Sequence, residues 1–305
     1  MDDLFSREMR VPALVAEHGK LVARSMLTDE RRRLTDIAAA VLEDERQDVG
    51  YTYSGLCLVG LPHKKLSDDA VWERDGHAVR MAVEPGRTDG GGFVGVPYGA
   101  RARVVMIYLM TQAVRARSRE VELGRSMNDW MVRMGIPVGG ESAEAIRDQC
   151  RRIAACSLRF VWQGQGARGV SRARIVSREM SFSAPRPERL WEDRVTLDAD
   201  LFEALRHHPV PVAETAVRQL RDRSVSLDVY TWLSYRLHWL SKPLHVSWPA
   251  LELQFGAGYS RSRAFRANFP AALAAAVAAY PDAKITLDEK GATLHPSPPP
   301  VRKIA

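Results

Sequence analysis

The amino-acid sequence predicts a helix-rich α+β fold in which one order of elements occurs twice. The length of 305 residues suffices for two or three hydrophobic cores. A helix, strand, helix, turn, helix, strand, loop and strand follow one another in the middle of the chain, and the same order returns after a link that contains Pro185 and Pro187. We therefore predict an N-terminal segment over 1–95, repeated domains over 96–187 and 188–296, and a proline-rich, disordered tail over 297–305.

The N-terminal segment combines a helix with strand-like stretches. Residues 28–46 have the apolar spacing of an amphipathic helix. Residues 51–60 have the composition of a strand, and residues 70–83 alternate around Asp75-Gly76 as a β-hairpin does. Gly90-Gly91-Gly92 indicates a linker or a flexible loop. We expect this segment to serve dimerisation or contact with a partner.

The first repeated domain is predicted from a cap, glycine-rich turns and apolar periodicity. Ser126 is the expected N-cap of a short helix, and the turn 135–140 leads into a second helix. A glycine-rich loop over 164–169 joins the last two strands. The expected elements are a helix over 102–116, a strand over 120–123, helices over 126–134 and 142–156, and strands over 158–163 and 170–177.

The second repeated domain carries the same signals. Ser247 is the expected cap of a helix with Pro249 in its first turn, where a missing N–H costs nothing. Pro270 lies inside the longest predicted helix and is expected to kink it. The tryptophans and leucines of 226–241 recur at helical spacing, which indicates core positions and not a stacking platform for bases. The expected elements are this helix, a strand over 244–246, a helix from 247, a turn at 256–258, a helix over 260–280, and a hairpin of 284–287 and 292–295.

This order of elements is that of a winged helix, in which a β-hairpin, the wing, follows a helix-turn-helix. We therefore predict tandem winged-helix domains with an additional N-terminal α+β segment. The second helix of a helix-turn-helix enters the major groove of duplex DNA, so the predicted fold indicates DNA binding.

The charge of the chain indicates a polyanionic partner. The net charge of +7 and the pI near 9.5 come mostly from arginine, whose guanidinium suits phosphate oxygens and guanine edges. Residues 101–186 contain 16 arginines, no lysine and 7 acidic residues, a net charge of +9 for that stretch alone. Nucleic acid is the expected partner, although a basic average by itself equally fits a protein of the membrane surface.

The remaining composition indicates a cytoplasmic protein without a metal. The N-terminus lacks a basic region followed by an apolar one, and the longest apolar run, 271–280, is too short to span a bilayer. Cys57, Cys150 and Cys156 form neither an even set nor a C-x-x-C pair, which argues against a disulfide framework and against a zinc site. We expect no membrane contact, no metal and no cofactor.

Three stretches resemble the plasmid-encoded RepA replication initiators. They are LGRSMNDWMVRMGIPVGG at 123–140, RVTLDADLFEALRHHPVPVAETAVRQLRDRSVSLDVYTWLSYRLHWL at 194–240, and VSWPALELQFGAGYSRSRAFR at 246–266. The resemblance extends over residues 50–296. It implies a theta-type initiator that binds repeats, or iterons, in the double-stranded DNA of its plasmid origin, opens an adjacent AT-rich region and recruits the host initiator and replicative helicase. It also implies a homodimer in equilibrium with a monomer, with the dimer repressing its own gene.

The sharpest candidate site opens the long helix of the second domain. Winged-helix proteins insert this helix start into the major groove, where arginine can bond two guanine acceptors and serine or tyrosine can contact phosphates. Cations at a helix N-terminus oppose the macrodipole, which favours a function over an ordinary solvated helix start. The candidate DNA-binding residues here are Tyr259, Ser260, Arg261, Ser262, Arg263 and Arg266.

A second candidate surface lies on the corresponding helix of the first domain. Arg147 and Arg151 are one helical turn apart, opposite to the apolar stripe of that helix. Glu144 and Asp148 share the region, so an ordinary helix surface with ion pairs is the alternative.

The wing of the first domain is the third candidate. Its three arginines have no acidic residue nearby in the sequence, and we expect them to bind phosphates. They are Arg168, Arg172 and Arg174.

No catalytic site is predicted. The chain has no Walker A string that would hold ATP, and His207-His208 lacks the spacing of the metal site in a nicking initiator. Asp282 with Asp288-Glu289-Lys290 resembles a nuclease pattern weakly, but 288–291 has the composition of an exposed hairpin tip. We expect a protein that is not an enzyme. The main alternative to an initiator is a transcriptional repressor on the same fold, which would bind without melting an origin.

Overall fold

The computed structural model describes residues 10–76, 79–164, 167–176 and 194–301, with side chains except at positions 30 and 163–173. The predicted helix-rich α+β class is confirmed. The α-helices are α1 (Val11–Ser25), α2 (Arg32–Leu42), α3 (Ser54–Leu58), α4 (Gly99–Ala116), α5 (Met127–Arg133), α6 (Gly140–Ala155), α7 (Ala199–His207), α8 (Glu214–Leu220), α9 (Ser224–Arg236), α10 (Trp248–Phe255) and α11 (Ser262–Ala278). The strands are β1 (Val49–Tyr53), β2 (Trp72–Asp75), β3 (Val79–Glu84), β4 (Glu120–Glu122), β5 (Ser157–Gly164), β6 (Ala167–Arg174), β7 (Arg194–Thr196), β8 (Pro209–Ala213), β9 (Leu244–Ser247), β10 (Ile285–Leu287) and β11 (Gly291–Leu294).

The chain folds as two compact units. The middle unit comprises Tyr51–Pro209, and the terminal unit comprises Met1–Gly50 together with Val210–Ala305. The predicted N-terminal segment is divided between the two units, and the predicted boundaries near residues 95 and 187 both lie within the middle unit.

The middle unit contains a four-stranded antiparallel sheet with the order β2-β3-β5-β6. The hairpin predicted around Asp75-Gly76 is confirmed, because β2 pairs with β3 and places Arg74 opposite Met81. β3 also pairs with β5, so this hairpin extends the sheet to which the first wing belongs. Met81 and Phe160 are opposite each other in that pairing and are both buried in the core.

The first winged-helix region, from α4 to β6, has the predicted order of elements. The Ser126 hydroxyl oxygen caps α5 by accepting a hydrogen bond from the Asp129 backbone N–H at 3.1 Å. Gly135, with φ 68°, ends α5 in the left-handed conformation, and the Ile136 N–H then bonds to the Met131 carbonyl. These caps set the turn that leads into α6. β4 pairs with β7 and not with the wing strands.

One local prediction in the middle unit was wrong, and one is narrowed to a single alternative. Residues 54–58 form α3 and not the predicted strand; the prediction failed because a short apolar run has no periodicity that distinguishes a helix from a strand. Of the linker and the loop predicted at Gly90-Gly91-Gly92, the structure shows a loop within the unit, a small turn that is closed by a 2.8 Å bond from the Thr88 N–H to the Gly92 carbonyl. Gly91 takes a φ of 82°, a value that glycine adopts at no steric cost.

The terminal unit contains a three-stranded antiparallel sheet with the order β10-β11-β9, against which α10 packs, and the helices α9, α10 and α11 contact one another. The second winged-helix region, from α9 to β11, therefore has the predicted order, and its wing pairs with the strand that precedes the helix-turn-helix. Its largest fully buried side chains are aromatic: Tyr230, Trp232, Phe265, Phe269 and Tyr280. α2 packs against α8 and α11, so the N-terminal helices belong to the same unit as the second winged-helix region.

Helix boundaries in the terminal unit differ from the prediction at several points. The helix expected over 28–46 is α2, and it follows a 3₁₀ turn at Asp29–Arg31. α11 runs through Pro270 as one helix, with the proline buried. Of the tryptophans predicted to be core, Trp232 is buried, but Trp239 lies after the end of α9 and is 76% exposed.

Part of the tail predicted to be disordered is packed against the terminal unit. The Tyr280 hydroxyl donates to the Pro298 carbonyl, and the Lys284 N–H donates to the Ser297 hydroxyl at 3.0 Å. Ser297 and Val301 are buried. Residues 302–305 lie outside the described residues.

Candidate nucleic-acid interface

The helix α10 and the turn after it determine where α11 begins. Ser247 caps α10, with its hydroxyl oxygen 3.5 Å from the Ala250 nitrogen. The turn after α10 is closed by a 2.9 Å bond from the Tyr259 N–H to the Gly256 carbonyl. α11 then begins after Arg261, which is the N-cap residue and has extended backbone angles. The helix therefore begins two residues after the predicted start at residue 260, and Arg261 precedes it.

The candidate residues around this helix start are accessible, with one exception. Ser260, Arg261, Ser262, Arg263 and Arg266 are exposed. Tyr259 is half-buried, because its ring packs edge-on against Phe265 at a centroid distance of 5.6 Å. The tyrosine thus supports the turn, while the arginines and serines face solvent.

The electrostatics of this helix start favour an anion. The first turn of α11 contains no acidic residue, and the N-cap makes no side-chain hydrogen bond to it. Within the described part of the chain, no carboxylate lies at ion-pair distance from Arg261, Arg263 or Arg266. Because unsatisfied N–H groups and the macrodipole add positive potential at a helix N-terminus, three arginines there are mutually unfavourable until an anion binds.

The corresponding surface of α6 is closer to neutral. Arg147 and Arg151 are exposed on the side opposite to the buried stripe, as predicted. The Arg151 guanidinium lies 3.8 Å from the Asp148 carboxylate, so one of the two candidates has a weak ion-pair partner.

A neighbouring arginine that sequence reasoning missed is structural. Arg152 is buried, with 2.9 Å and 3.2 Å contacts to the carboxylates of Asp148 and Asp68, and it stacks on Tyr98 at 5.3 Å. Burial opposes the charge of Arg152, but its bonds to Asp148 and Asp68 outweigh burial and raise its pKa. Arg151 and Arg152 are neighbouring arginines of the same predicted helix, and only the packing shows that Arg152 is buried while Arg151 is exposed.

The wing strand β6 holds the third candidate group. Arg174 is exposed, and the side chains of Arg168 and Arg172 lie outside those that the structure describes. In the backbone register, Arg172 is opposite Arg159 on β5, which sequence reasoning missed because it occurs in an apolar run. The Nε of Arg159 is buried without a hydrogen-bond partner in the described chain. The wing therefore carries a fourth cation beside the three predicted ones.

A comparison with sequence families shows to which family the chain belongs. The sequence model of the plasmid-encoded RepA protein family matches residues 96–248, half of the chain. The chain belongs to the plasmid-encoded RepA family. The match includes the whole first winged-helix region of this RepA protein and ends at the first residue of α10, before the arginines of α11.

Other comparisons give weaker similarities for this RepA protein. No curated protein matches its sequence. Among solved structures, a crystal structure of selenomethionine derivatives of domains 2 and 3 of RctB has a TM-score of 0.48 at 11% identity and covers 80% of this chain and 95% of its own. A second crystal structure of RctB domains 2–3 has a TM-score of 0.44 at 12% identity and covers 71% of this chain and 80% of its own.

The remaining reactive side chains, the three cysteines and Asp288, take part in packing and in closing a turn. Cys57, Cys150 and Cys156 are buried, and burial raises the pKa of Cys156 to about 12. Asp288 accepts bonds from the backbone N–H groups of Lys290 and Gly291, so it closes the wing turn. Among the described residues, no group of three or more His, Cys, Asp or Glu is placed to hold a metal ion, and no helix is long and apolar enough to cross a membrane.

Proposed function

We propose that this protein initiates replication of its plasmid by binding repeated duplex sequences, or iterons, at the origin. The start of α11 carries the proposal: exposed arginines that have no carboxylate partner among the described residues occupy the part of a helix-turn-helix that enters the major groove. The basic wing of the first region adds phosphate contacts. Membership of the plasmid-encoded RepA family supports the origin as the place of binding.

In this proposal, binding energy replaces catalysis. Contacts to successive repeats bend and strain the duplex, and the adjacent AT-rich stretch opens because strained DNA separates at lower cost. No nucleotide cofactor, metal or covalent step takes part. The host initiator and replicative helicase are the proposed protein partners in the bacterial cytoplasm, and a homodimer in equilibrium with the monomer is the proposed repressor of the protein's own gene.

A nuclease footprint on the parent plasmid is the first test. Two winged helices on one chain can engage successive major grooves on one face of the duplex, so we expect protected direct repeats spaced near multiples of about 10.5 base pairs. Protection that is scattered without periodicity contradicts the proposal.

Potassium permanganate on supercoiled origin DNA separates an initiator from a plain repressor. The initiator makes thymines of the AT-rich stretch reactive, whereas a repressor protects the repeats and leaves every thymine unreactive. Incubation of the same DNA with magnesium or manganese tests the absence of nuclease activity, for which we expect no nicks above the level of a protein-free control.

A further inference from the structure

One buried tryptophan in the terminal unit contacts both the start of α11 and the wing. Trp248, the first residue of α10, is 7% exposed. Its ring lies edge-on to Phe265 and Phe269, at centroid distances of 6.2 Å and 6.1 Å. The guanidinium carbon of Arg266 lies over the same ring, 5.9 Å from its centroid, which is within the range of a cation–π contact.

The polar groups of Trp248 fix its ring to the wing turn. The indole Nε1–H donates to the Asp288 carbonyl at 3.1 Å, and the backbone N–H donates to the Lys290 carbonyl at 3.1 Å. The turn is itself rigid, because the Asp288 carboxylate accepts the Lys290 and Gly291 N–H groups at 2.7 Å and 2.9 Å. A Cβ at Gly291 would collide with the carbonyl oxygen of Val246. The wing therefore lies so close to β9 that only glycine fits at this position. The ring beneath Arg266 therefore has a fixed orientation.

Arg266 and Arg263 differ in whether an aromatic ring lies against the guanidinium. Arg266 has an aromatic face beneath it, whereas the described chain places no ring over or under Arg263. A planar guanidinium held against a ring loses less rotational freedom when it forms two parallel hydrogen bonds to guanine. Arg263 has no such ring among the described residues, so it loses its full rotational freedom when it binds.

We propose that Trp248 is a positioning residue that holds the Arg266 guanidinium in place for base recognition, an inference that rests on the function proposed above. Trp248 itself is buried and does not contact DNA. It acts through Arg266 alone, so removing the ring matters only while Arg266 is present.

The test is a double-mutant cycle on DNA binding by the full-length protein. The probe is a duplex enriched by the wild-type protein from a random pool, compared with a scrambled duplex of the same composition at fixed salt. Trp248→Phe keeps an aromatic ring in the core but loses the indole N–H and part of the aromatic surface under Arg266. We expect it to lower the cognate-to-scrambled affinity ratio by about two- to fivefold, as a weak cation–π contact predicts.

The cycle assigns that loss to Arg266. In the Arg266→Ala background, Trp248→Phe should cause no further loss, whereas in the Arg263→Ala background it should cause its full loss. Equal losses in both backgrounds, or an unchanged ratio in the single variant, overturn the proposal.

The chain provides a matched control in the middle unit. Trp72 donates its indole N–H to the Gly60 carbonyl at 3.0 Å and lies 5.7 Å beneath the guanidinium of Arg74. Trp72→Phe removes the same kind of bond beside the same kind of arginine, in the unit that does not contain α11, and should leave the ratio unchanged. A pool in which the wild-type protein enriches no sequence contradicts the proposed function itself, which is a different result from an additive cycle.

A second measurement uses the unaltered protein, so it is independent of whether the phenylalanine variant folds. The ¹⁵N heteronuclear Overhauser effect of each arginine Nε–H reports its motion on the picosecond to nanosecond scale. In the free protein, Arg266 should give a value near that of the rigid backbone, and Arg263 a much lower one. Equal mobility of the two side chains overturns the proposal.

Discussion

The two winged-helix regions place their positive charge on different parts of the same motif. The first wing, 157–174, contains four arginines and no acidic residue, whereas the second wing, 285–294, contains Asp288, Glu289 and one lysine. The helices have the opposite pattern. α6 contains as many acidic residues as arginines, and α11 contains two arginines and no acidic residue.

The two wings also differ in length, and the more basic first wing is the longer one. The strands of the first wing have 8 residues each, and those of the second have 3 and 4. At roughly 3.3 Å per residue, the first wing extends about 26 Å and the second only about 10 to 13 Å. A long basic hairpin suits the DNA backbone, which is the same in every sequence, and a short one leaves recognition to the helix. We infer that the first region supplies affinity and the second supplies sequence specificity.

The largest expected effect comes from the first wing. Replacing Arg168, Arg172 and Arg174 together with alanine should weaken binding to cognate and random duplexes alike, because phosphate contacts carry no sequence information. The slope of log affinity against log salt should flatten by up to about one unit per lost contact. Titrations at four salt concentrations measure it.

The control for the wing variant is an exposed arginine that already has a carboxylate partner. Arg206 lies 3.0 Å from the Glu203 carboxylate in the same unit, so Arg206→Ala should leave the slope unchanged. A triple variant with the wild-type slope removes the wing from the interface.

A smaller but more selective effect is expected at α11. Alanine at Arg263 or Arg266 should cost about 1–3 kcal/mol on the cognate repeat and much less on random DNA, because a base contact is lost. Alanine at Arg261, which precedes the helix, should lower both affinities together, as a phosphate contact does. Paired titrations of cognate and scrambled duplex at fixed salt, with folding checked by thermal melting, measure the ratio.

The same experiment on α6 sharpens the comparison. Alanine at Arg147 and Arg151 should change the specificity ratio by much less than the roughly 1–3 kcal/mol that a lost base contact costs. If these variants lose specificity while all three α11 variants keep it, the first region recognises the sequence and the assignment of roles is reversed.

Local features of both regions were predictable from sequence because their causes are local. The caps at Ser126 and Ser247 and the hairpin at Asp75-Gly76 each depend on a few neighbouring residues. The winged-helix order followed from these signals and from apolar periodicity.

Features that depend on distant segments were not predictable in the same way. The pairing of β3 with β5 joins residues 79–84 to residues 157–162, and no pattern within either strand specifies the other. The contact of Trp248 with Arg266 joins two helices, and the burial of Arg152 depends on Asp68, which is 84 positions away. Tertiary packing selects among several partners that are equally compatible with the local sequence.

The smallest expected effect compares the caps of the first helix in each helix-turn-helix. The Ser126 hydroxyl is 3.1 Å from its N–H donor, and the Ser247 hydroxyl is 3.5 Å from its own, which is at the limit of a hydrogen bond. Ser126→Ala should therefore lower the free energy of unfolding by about 1 kcal/mol, and Ser247→Ala by about half as much or less. α10 is also held at its start by the backbone bond from Trp248 to the Lys290 carbonyl, which the serine substitution leaves intact. Urea denaturation followed by tryptophan fluorescence measures both losses, and a larger loss for Ser247→Ala means that the cap of α10 is the more important of the two.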